Sequence, residues 1–256
     1  MEIMKEKFDV IVVGSGAGGA SVAKDLAAKG KKVLILEGSG GNRIKGSFLW
    51  ALPYMMLPFK SLLLTPELLG MVRGLTTGGS SVFYYGTAFP VAHDAFKKYG
   101  IDLTESEKEA RKELPIGPLK DEMVTPMARR MMESARALGY DWKKLDKFMY
   151  QDRWRPGYGF GYYGDRHEVK WSAKMYIDEA VRRGAVLLNR AKVKKVLFDG
   201  KTAKGVEMKY KGRTMQVLAK TVIVAAGGIG SPVVLRRSGI RNAGYNYFFD
   251  PLITVC

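Results

Sequence analysis

Gly14, Gly16 and Gly19 stand in G-x-G-x-x-G spacing directly after Val10–Val13, an unbroken β-branched run. Glu37 follows 18 positions after Gly19, at the end of a second apolar run, Val33–Leu36. Each residue type suits one task in holding a dinucleotide. Gly14 permits a tight turn out of a strand. Gly16 lacks a Cβ, so a pyrophosphate can approach the backbone. Gly19 lets a helix pack close to a sheet, and the helix N-terminus offers bare N–H groups to phosphate. Glu37 stands where an acid binds the hydroxyls of an adenosine ribose. A ligand with an ADP half follows. This stretch alone leaves FAD and NAD both open.

A second set of donors lies in Arg73–Gly86, RGLTTGGSSVFYYG. Gly78-Gly79 and Ser80-Ser81 offer backbone N–H and hydroxyl groups for phosphate in an otherwise apolar region. Acid–base candidates are few. The chain has two histidines, His93 and His167, and surface or core placement is the expectation for both. Cys256 is the only cysteine, which rules out an internal disulfide and a cysteine metal cluster and suggests a reducing cytoplasm.

The elements that must position these residues read as follows. Val10–Val13 and Val33–Leu36 suit strands buried on both faces. Ala20–Lys29 between them is helical, with Val22 and Leu26 on one face and Gly30 as its stop. Gly38–Gly46 is a Gly-rich loop. Ser47–Leu64 is apolar, but Pro53, Pro58 and Lys60 interrupt it, so no stretch reaches the ~20 residues of a membrane span. It reads as a lid or core segment, with a peripheral membrane contact as the rival. Thr104–Glu113 predicts a helix capped by Thr104. Thr125–Leu138 predicts another, with Met127, Met131 and Leu138 as core filler. Arg153–Gly164 is an aromatic, Gly-rich loop with Tyr158, Phe160, Tyr162 and Tyr163. Ser172 caps a helix to about Arg183. Ala185–Leu188, Ala191–Leu197, Lys204–Lys209 and Thr214–Leu218 follow as strands, with Gly-bearing turns that mark a β-meander. Thr221–Ala225 is one more buried strand. Ser231–Ser238 opens as a helix on Pro232, and Leu252–Val255 is strand-like.

The chain has 256 residues, enough for one large domain or one and a half. Its 42 Lys plus Arg against 25 Asp plus Glu give a net charge of +17. The basic residues are scattered and no nucleic-acid motif accompanies them, so nucleic acid is excluded as a partner. A solvated basic surface is the plain reading, and an anionic membrane is the rival. The N-terminus has mixed charges and no signal-peptide pattern.

A meander between two pieces of nucleotide sheet resembles the FAD-containing two-dinucleotide-binding enzymes. Within them the chain resembles the glucose–methanol–choline (GMC) oxidoreductases, in the branch of long-chain alcohol and sterol oxidases. Gly14–Gly19 with Glu37 matches the family's ADP site, and Gly78–Ser81 its pyrophosphate and flavin loop. Gly227–Ile240, GGIGSPVVLRRSGI, resembles its second signature. The resemblance implies a Rossmann-like α/β FAD-binding fold with a helical insertion. Its FAD-binding parts are 1–91 and 166–240, the insertion is 92–165, and 241–256 begins a substrate domain that is largely missing. It implies FAD contacts at Gly14, Ser15, Gly16, Ala17, Gly18, Gly19, Glu37, Gly78, Gly79, Ser80, Ser81, Val193, Ala226 and Gly227. Val193 stands where the family holds adenine through backbone groups. Tyr84 replaces the family's usual Asn beyond the paired serines. Phe83 replaces the histidine that in some members bonds FAD, so the FAD is expected to be noncovalent.

The family's catalytic histidine and its partner lie far towards the C-terminus, so the expected base is outside this chain and no catalytic residue is assigned. The expected function is the FAD-binding portion of an oxidoreductase that takes hydride from hydrophobic alcohols. A C-terminal-half subunit or a homo-oligomer would complete it. A catalytically silent flavin-binding subunit is the alternative, and an NAD(P)-dependent dehydrogenase a more distant one.

Overall fold

The computed structural model describes residues 7–41, 46–158 and 164–246. The strand-like Leu252–Val255, Cys256, the loop residues Asn42, Arg43 and Lys45, and the aromatics Phe160, Tyr162 and Tyr163 lie outside them. The chain forms two compact units. One comprises Met1–Arg43, Pro53–Val82 and Ser172–Cys256, and the other Ile44–Leu52 and Phe83–Trp171.

The first unit is built on a six-stranded sheet. Its strands are β1 (Phe8–Val13), β2 (Val33–Leu36), β8 (Val186–Leu188), β9 (Lys192–Asp199), β10 (Thr202–Tyr210) and β11 (Arg213–Val224). They run in the order β8-β2-β1-β11-β10-β9. β8, β2, β1 and the second half of β11 are parallel, with Val13 opposite both Leu36 and Val224. The first half of β11 pairs antiparallel with β10, and β10 with β9. The expected strands Thr214–Leu218 and Thr221–Ala225 are therefore one strand. It leaves the meander and joins the parallel sheet without a break. A tight turn joins β10 to β11, and both its residues, Lys211 and Gly212, have positive φ (47° and 80°). That is the turn whose twist matches an antiparallel pair.

Burial explains the β-branched runs. Ile11, Val13, Leu34 and Leu36 face the meander's Val193, Val196, Val206, Met208 and Val217 in one core. The opposite face carries the fully buried Val12, Val33 and Ile35. Helices α1 (Ala17–Ala28) and α6 (Ala173–Arg182) pack with each other beside this sheet. α1 begins three residues earlier than expected, and its buried face is Gly19, Ala20, Ala23 and Ala27 rather than Val22 and Leu26. Small residues win that face because the helix lies close on the sheet.

Ser172 occupies the N-cap position of α6, yet its side chain makes no capping bond. The Ala173 amide instead donates to Ser81 Oγ at 2.9 Å. Helix α7 (Gly227–Arg237) starts four residues before the expected Ser231, so Pro232 lies inside it. The Gly228 carbonyl, which loses its partner to Pro232, belongs to an exposed residue that water can reach. The apolar Ser47–Leu64 forms helix α2 (Phe48–Met55) and then strand β3 (Leu62–Leu64), which pairs with β4 (Gly70–Val72) in a hairpin.

The second unit holds a three-stranded antiparallel sheet of β5 (Thr87–Ala88), β7 (Asp146–Phe148) and β6 (Ile116–Pro118). With it go helices α3 (His93–Lys97), α4 (Thr104–Glu113) and α5 (Pro126–Ala137). Thr104 is the first residue of α4 and not its cap. The Asp102 carboxylate accepts from the Thr104 amide at 2.9 Å and from its hydroxyl at 2.6 Å. Thr125, expected as the first residue of α5, is instead its cap, accepting from the Ala128 amide at 3.3 Å. The Met residues of α5 are not core filler. Met127 is 72% exposed, Met131 56% and Leu138 76%, and they line an open groove with Tyr140 and Trp142. Helical spacing creates an apolar stripe but does not supply anything to cover it.

Candidate functional site

The first unit gathers its glycine turns at the carboxyl ends of β1, β2 and β11, the place where open α/β sheets bind ligands. Gly14 leaves β1 at φ +103°, and a Cβ there would lie 2.4 Å from the Ala225 carbonyl oxygen. Only glycine lets β11 come this close, where the Ala225 amide donates to the Val13 carbonyl at 2.8 Å. Gly19 is equally constrained, since a Cβ would lie 2.1 Å from the Gly14 carbonyl oxygen. Gly16 differs. A Cβ on it would meet no atom within 4 Å, and Ala17 and Gly18 beside it are exposed. The turn is open on the side a pyrophosphate would take.

Two helix N-termini converge here. α1 starts after Gly16 and α7 after Ala226, whose Cα would lie 3.1 Å from a Cβ on Gly14. Neither helix has a side-chain cap or an acid in its first turn. Both leave their partial positive charge and amide groups to a bound anion. Gly227, exposed at φ +76°, opens α7.

Glu37 follows β2 directly and is half-buried. Its Oε2 accepts from the Ser15 amide at 3.1 Å and hydroxyl at 2.5 Å. Its Oε1 accepts from the Ser39 amide at 2.8 Å and hydroxyl at 2.6 Å. Four donors thus fix the carboxylate before any ligand arrives. The hydroxyl donors can rotate away when a ribose hydroxyl competes.

Ser15 is fully buried and does more than fill the turn. Its Oγ accepts from the Gly78 amide at 3.1 Å while it donates to Glu37. One hydroxyl therefore joins the glycine turn, the acid and the Gly78–Ser81 loop. Ser15→Ala would strand the Gly78 amide in a buried place, a loss of about 1–3 kcal/mol of stability. Thermal unfolding with and without FAD should show a lowered melting point and weaker FAD protection.

The Gly78–Ser81 loop presses on the same turn, with a Gly79 Cβ position 3.1 Å from Gly16 Cα. Its serine hydroxyls are already engaged. Ser81 Oγ donates to the Gly78 carbonyl at 2.6 Å and caps α6 through Ala173. Ser80 Oγ accepts from the Gly74 amide at 3.0 Å. Both hydroxyls shape the loop, and its first two amides are bound as well, Gly78 to Ser15 Oγ and Gly79 to the Thr76 carbonyl at 2.9 Å. Val193 is buried on β9, the edge strand of the sheet. Two residues before it, the Ala191 amide donates to the Glu37 carbonyl at 2.8 Å, which ties the start of β9 to the acid's loop. Thr77 and Asn189 join the same neighbourhood through a 2.8 Å hydrogen bond that no sequence motif signalled.

The remaining titratable candidates belong to the second unit. His93 Nε2 lies 2.6 Å from Glu107 Oε2, and its buried Nδ1 has no hydrogen-bond partner among the described residues. Arg111 first, and then His93, holds the Glu107 carboxyl below its usual range. His167 stacks on Tyr158 at 3.7 Å. Tyr84 donates to the Trp171 carbonyl at 2.9 Å, and burial pushes its phenol well up. Lys170, 3% exposed, donates to the Tyr84 carbonyl and lies 5.0 Å from the Tyr84 ring centre. Burial lowers its pKa from the ordinary 10.5 to about 8, against the pull of Asp165.

The pH consequence follows from that direction. Below about pH 8 both folded and unfolded chains carry the charge, and folding bears its full burial cost. Between about 8 and 10.5 only the unfolded chain holds the proton, so stability rises with pH, by about 3 kcal/mol in total for this group. Denaturant unfolding across that range should show the rise in the parent and a rise smaller by about that amount in Lys170→Met, where the burial-lowered Lys147 and Lys192 remain.

Among the described residues no three His, Cys, Asp or Glu side chains are placed to hold a metal ion. No helix among them is long and apolar enough to cross a membrane.

The chain is 28% identical to a GMC-type oxidoreductase of Mycobacterium tuberculosis over 96% of its own length and 42% of that protein's. It is 26% identical to a long-chain-alcohol oxidase of Arabidopsis thaliana over 98% of its length and 37% of the relative's. Among solved structures, pyridoxine 4-oxidase superposes with a TM-score of 0.71 at 19% identity, over 91% of this chain and 52% of that one. The chain thus spans about half the length, or less, of these proteins. The model of the GMC oxidoreductase family matches residues 8–251. FAD is the cofactor this family uses, and an open glycine turn flanked by two bare helix ends fits its pyrophosphate. A match that runs from the first strand to beyond the last described helix makes this chain a member of the GMC oxidoreductase family.

Proposed function

We propose that the chain is the FAD-binding portion of a flavin-dependent oxidoreductase acting on the CH–OH group of hydrophobic alcohols. The observation that carries this reading is the convergence of three distant segments on one turn: Gly14 against Ala225, Gly16 against Gly79, and Ser15 between Gly78 and Glu37. When bound, FAD would supply the hydride acceptor. The chain's own groups would do the rest. The N-termini of α1 and α7 would neutralise the pyrophosphate, and Glu37 would take the ribose hydroxyls. The backbone at Ala17, Gly18 and Gly78–Ser81 would flank the phosphates and flavin, and the start of β9 at Val193 the adenine. Phe83 offers no nucleophile to the flavin, so the cofactor would be held noncovalently.

The base that takes the alcohol proton lies outside this chain in our reading. His93 is committed to Glu107 and His167 to Tyr158. The domain reading is part of the proposal too: 1–91 and 166–240 bind FAD, 92–165 is inserted, and 241–256 opens the substrate domain. So is the cytoplasmic location. The test is anaerobic mixing of the flavin-loaded chain with medium- and long-chain alcohols, alone and with a candidate C-terminal-half subunit. Bleaching of the visible flavin band that needs the second subunit is the expected result. Stable flavin with no bleaching under either condition would favour a catalytically silent flavin-binding subunit.

A further inference from the structure

The β3–β4 hairpin of the first unit and the turn that leads into it present large apolar side chains to solvent. Phe59 is 88% exposed and Leu68 77%, and Leu64, Leu69 and Val72 are exposed beside them. Phe59 and Leu68 also sit at φ +60° and +64°, a left-handed conformation that bulky residues rarely adopt. Each therefore works against stability twice, by backbone strain and by exposed apolar area, and no packing among the described residues offsets it. The hairpin is nonetheless well tied. The Leu57 amide donates to Ser61 Oγ at 2.7 Å, Arg73 Nε to the Lys60 carbonyl at 2.8 Å, and the Leu68 amide to the Thr65 carbonyl at 2.9 Å. Strain kept at a well-held position points to a use for the side chains.

A cationic cluster adjoins the hairpin. Lys60 and Arg73 flank its strands, Lys192 and Lys194 lie on β9, and Arg237 ends α7. Burial, then Lys194, Arg237, Arg73 and Lys60 in that order, pull the Lys192 pKa down, and every charge acting on it is positive. Glu67 at the hairpin tip is the one acid in the segment from Lys60 to Arg73. A second copy of this face would set these cations against themselves. A nucleic acid would use the cations and leave the aliphatic tip without a role.

We propose that the β3–β4 hairpin docks the protein on an anionic lipid bilayer, with Phe59, Leu64, Leu68 and Leu69 among the acyl chains and Lys60, Arg73, Lys192, Lys194 and Arg237 at the headgroups. The arrangement is that of a peripheral anchor, which combines buried apolar area with attraction to acidic lipid. It is independent of the flavin reading.

The test is flotation of the whole chain with vesicles of phosphatidylcholine alone and of phosphatidylcholine with one third phosphatidylglycerol. Binding should be at least tenfold tighter to the acidic vesicles and should weaken as salt is raised. Lys60→Gln with Arg237→Gln should weaken it by about fivefold per residue. Phe59→Gly with Leu68→Gly should weaken it tenfold or more and yet melt no lower than the parent, because glycine relieves both left-handed positions. Both double variants should bind FAD as the parent does, so a failure here is separate from a failure of the flavin site. Equal binding to the two vesicle types would overturn the proposal. So would parent-like flotation of the glycine variant, or a concentration-dependent dimer that this variant abolishes in the absence of vesicle binding.

Discussion

Gly16→Val should leave the fold standing and cost the protein its flavin. Gly16 has an extended backbone (φ −67°, ψ −176°), which any residue can adopt, and a Cβ there meets no protein atom within 4 Å. The stability cost is the small one of an apolar residue at an N-cap, about 1 kcal/mol. The added side chain would nevertheless stand where the pyrophosphate must touch the backbone. FAD affinity should fall by about 100-fold or more, roughly 2.7 kcal/mol of binding. Fluorescence titration with FAD, beside a thermal melt, measures both quantities. A variant that melts like the parent and binds FAD like the parent would show that the open side of the turn is not the phosphate site.

Gly14→Ala, two residues away, should do the opposite and damage the fold itself. The new Cβ would lie 2.4 Å from the Ala225 carbonyl oxygen, and the residue would be held at φ +103°. Relief requires β11 to move off β1, which breaks the Ala225–Val13 hydrogen bond and parts the two strand ends that form the cradle. Backbone strain alone costs about 1–3 kcal/mol, and the clash adds to it. A loss of at least about 3 kcal/mol is expected, seen as a melting point lower by roughly 6–12 °C. The contrast between the two glycines is the sharper test. One is required by the protein, the other by the ligand.

How legible this was depends on whether the deciding contact is local. β1, the glycine turn and β2 with Glu37 could be read from sequence because β-branched runs and glycine spacing encode them within 30 residues. The extent of β11 could not. Its hydrophobic alternation breaks at Ala219 and Lys220, where the strand exchanges β10 for β1 as its partner, and a break in alternation reads as a turn. The buried face of α1 is hidden in the sequence for a related reason. Val22 and Leu26 are the larger apolar residues, but Gly19, Ala20, Ala23 and Ala27 are what a close sheet admits. The exposed Met stripe of α5 could not be told from core filler, since its spacing is that of a buried face. In the site itself the glycines were legible as backbone. The latch through Ser15 was not, because it joins residues 63 positions apart and a serine in a turn carries no periodic signal.

Titration of the purified chain with FAD, with NAD⁺ run in parallel, tests the central claim most directly. The account predicts saturable quenching of flavin fluorescence with a dissociation constant in the micromolar range or tighter, release of unmodified FAD on acid denaturation, and no competition by NAD⁺ at comparable concentration. A folded chain that leaves FAD fluorescence unchanged, or that binds NAD⁺ in preference to FAD, would contradict it.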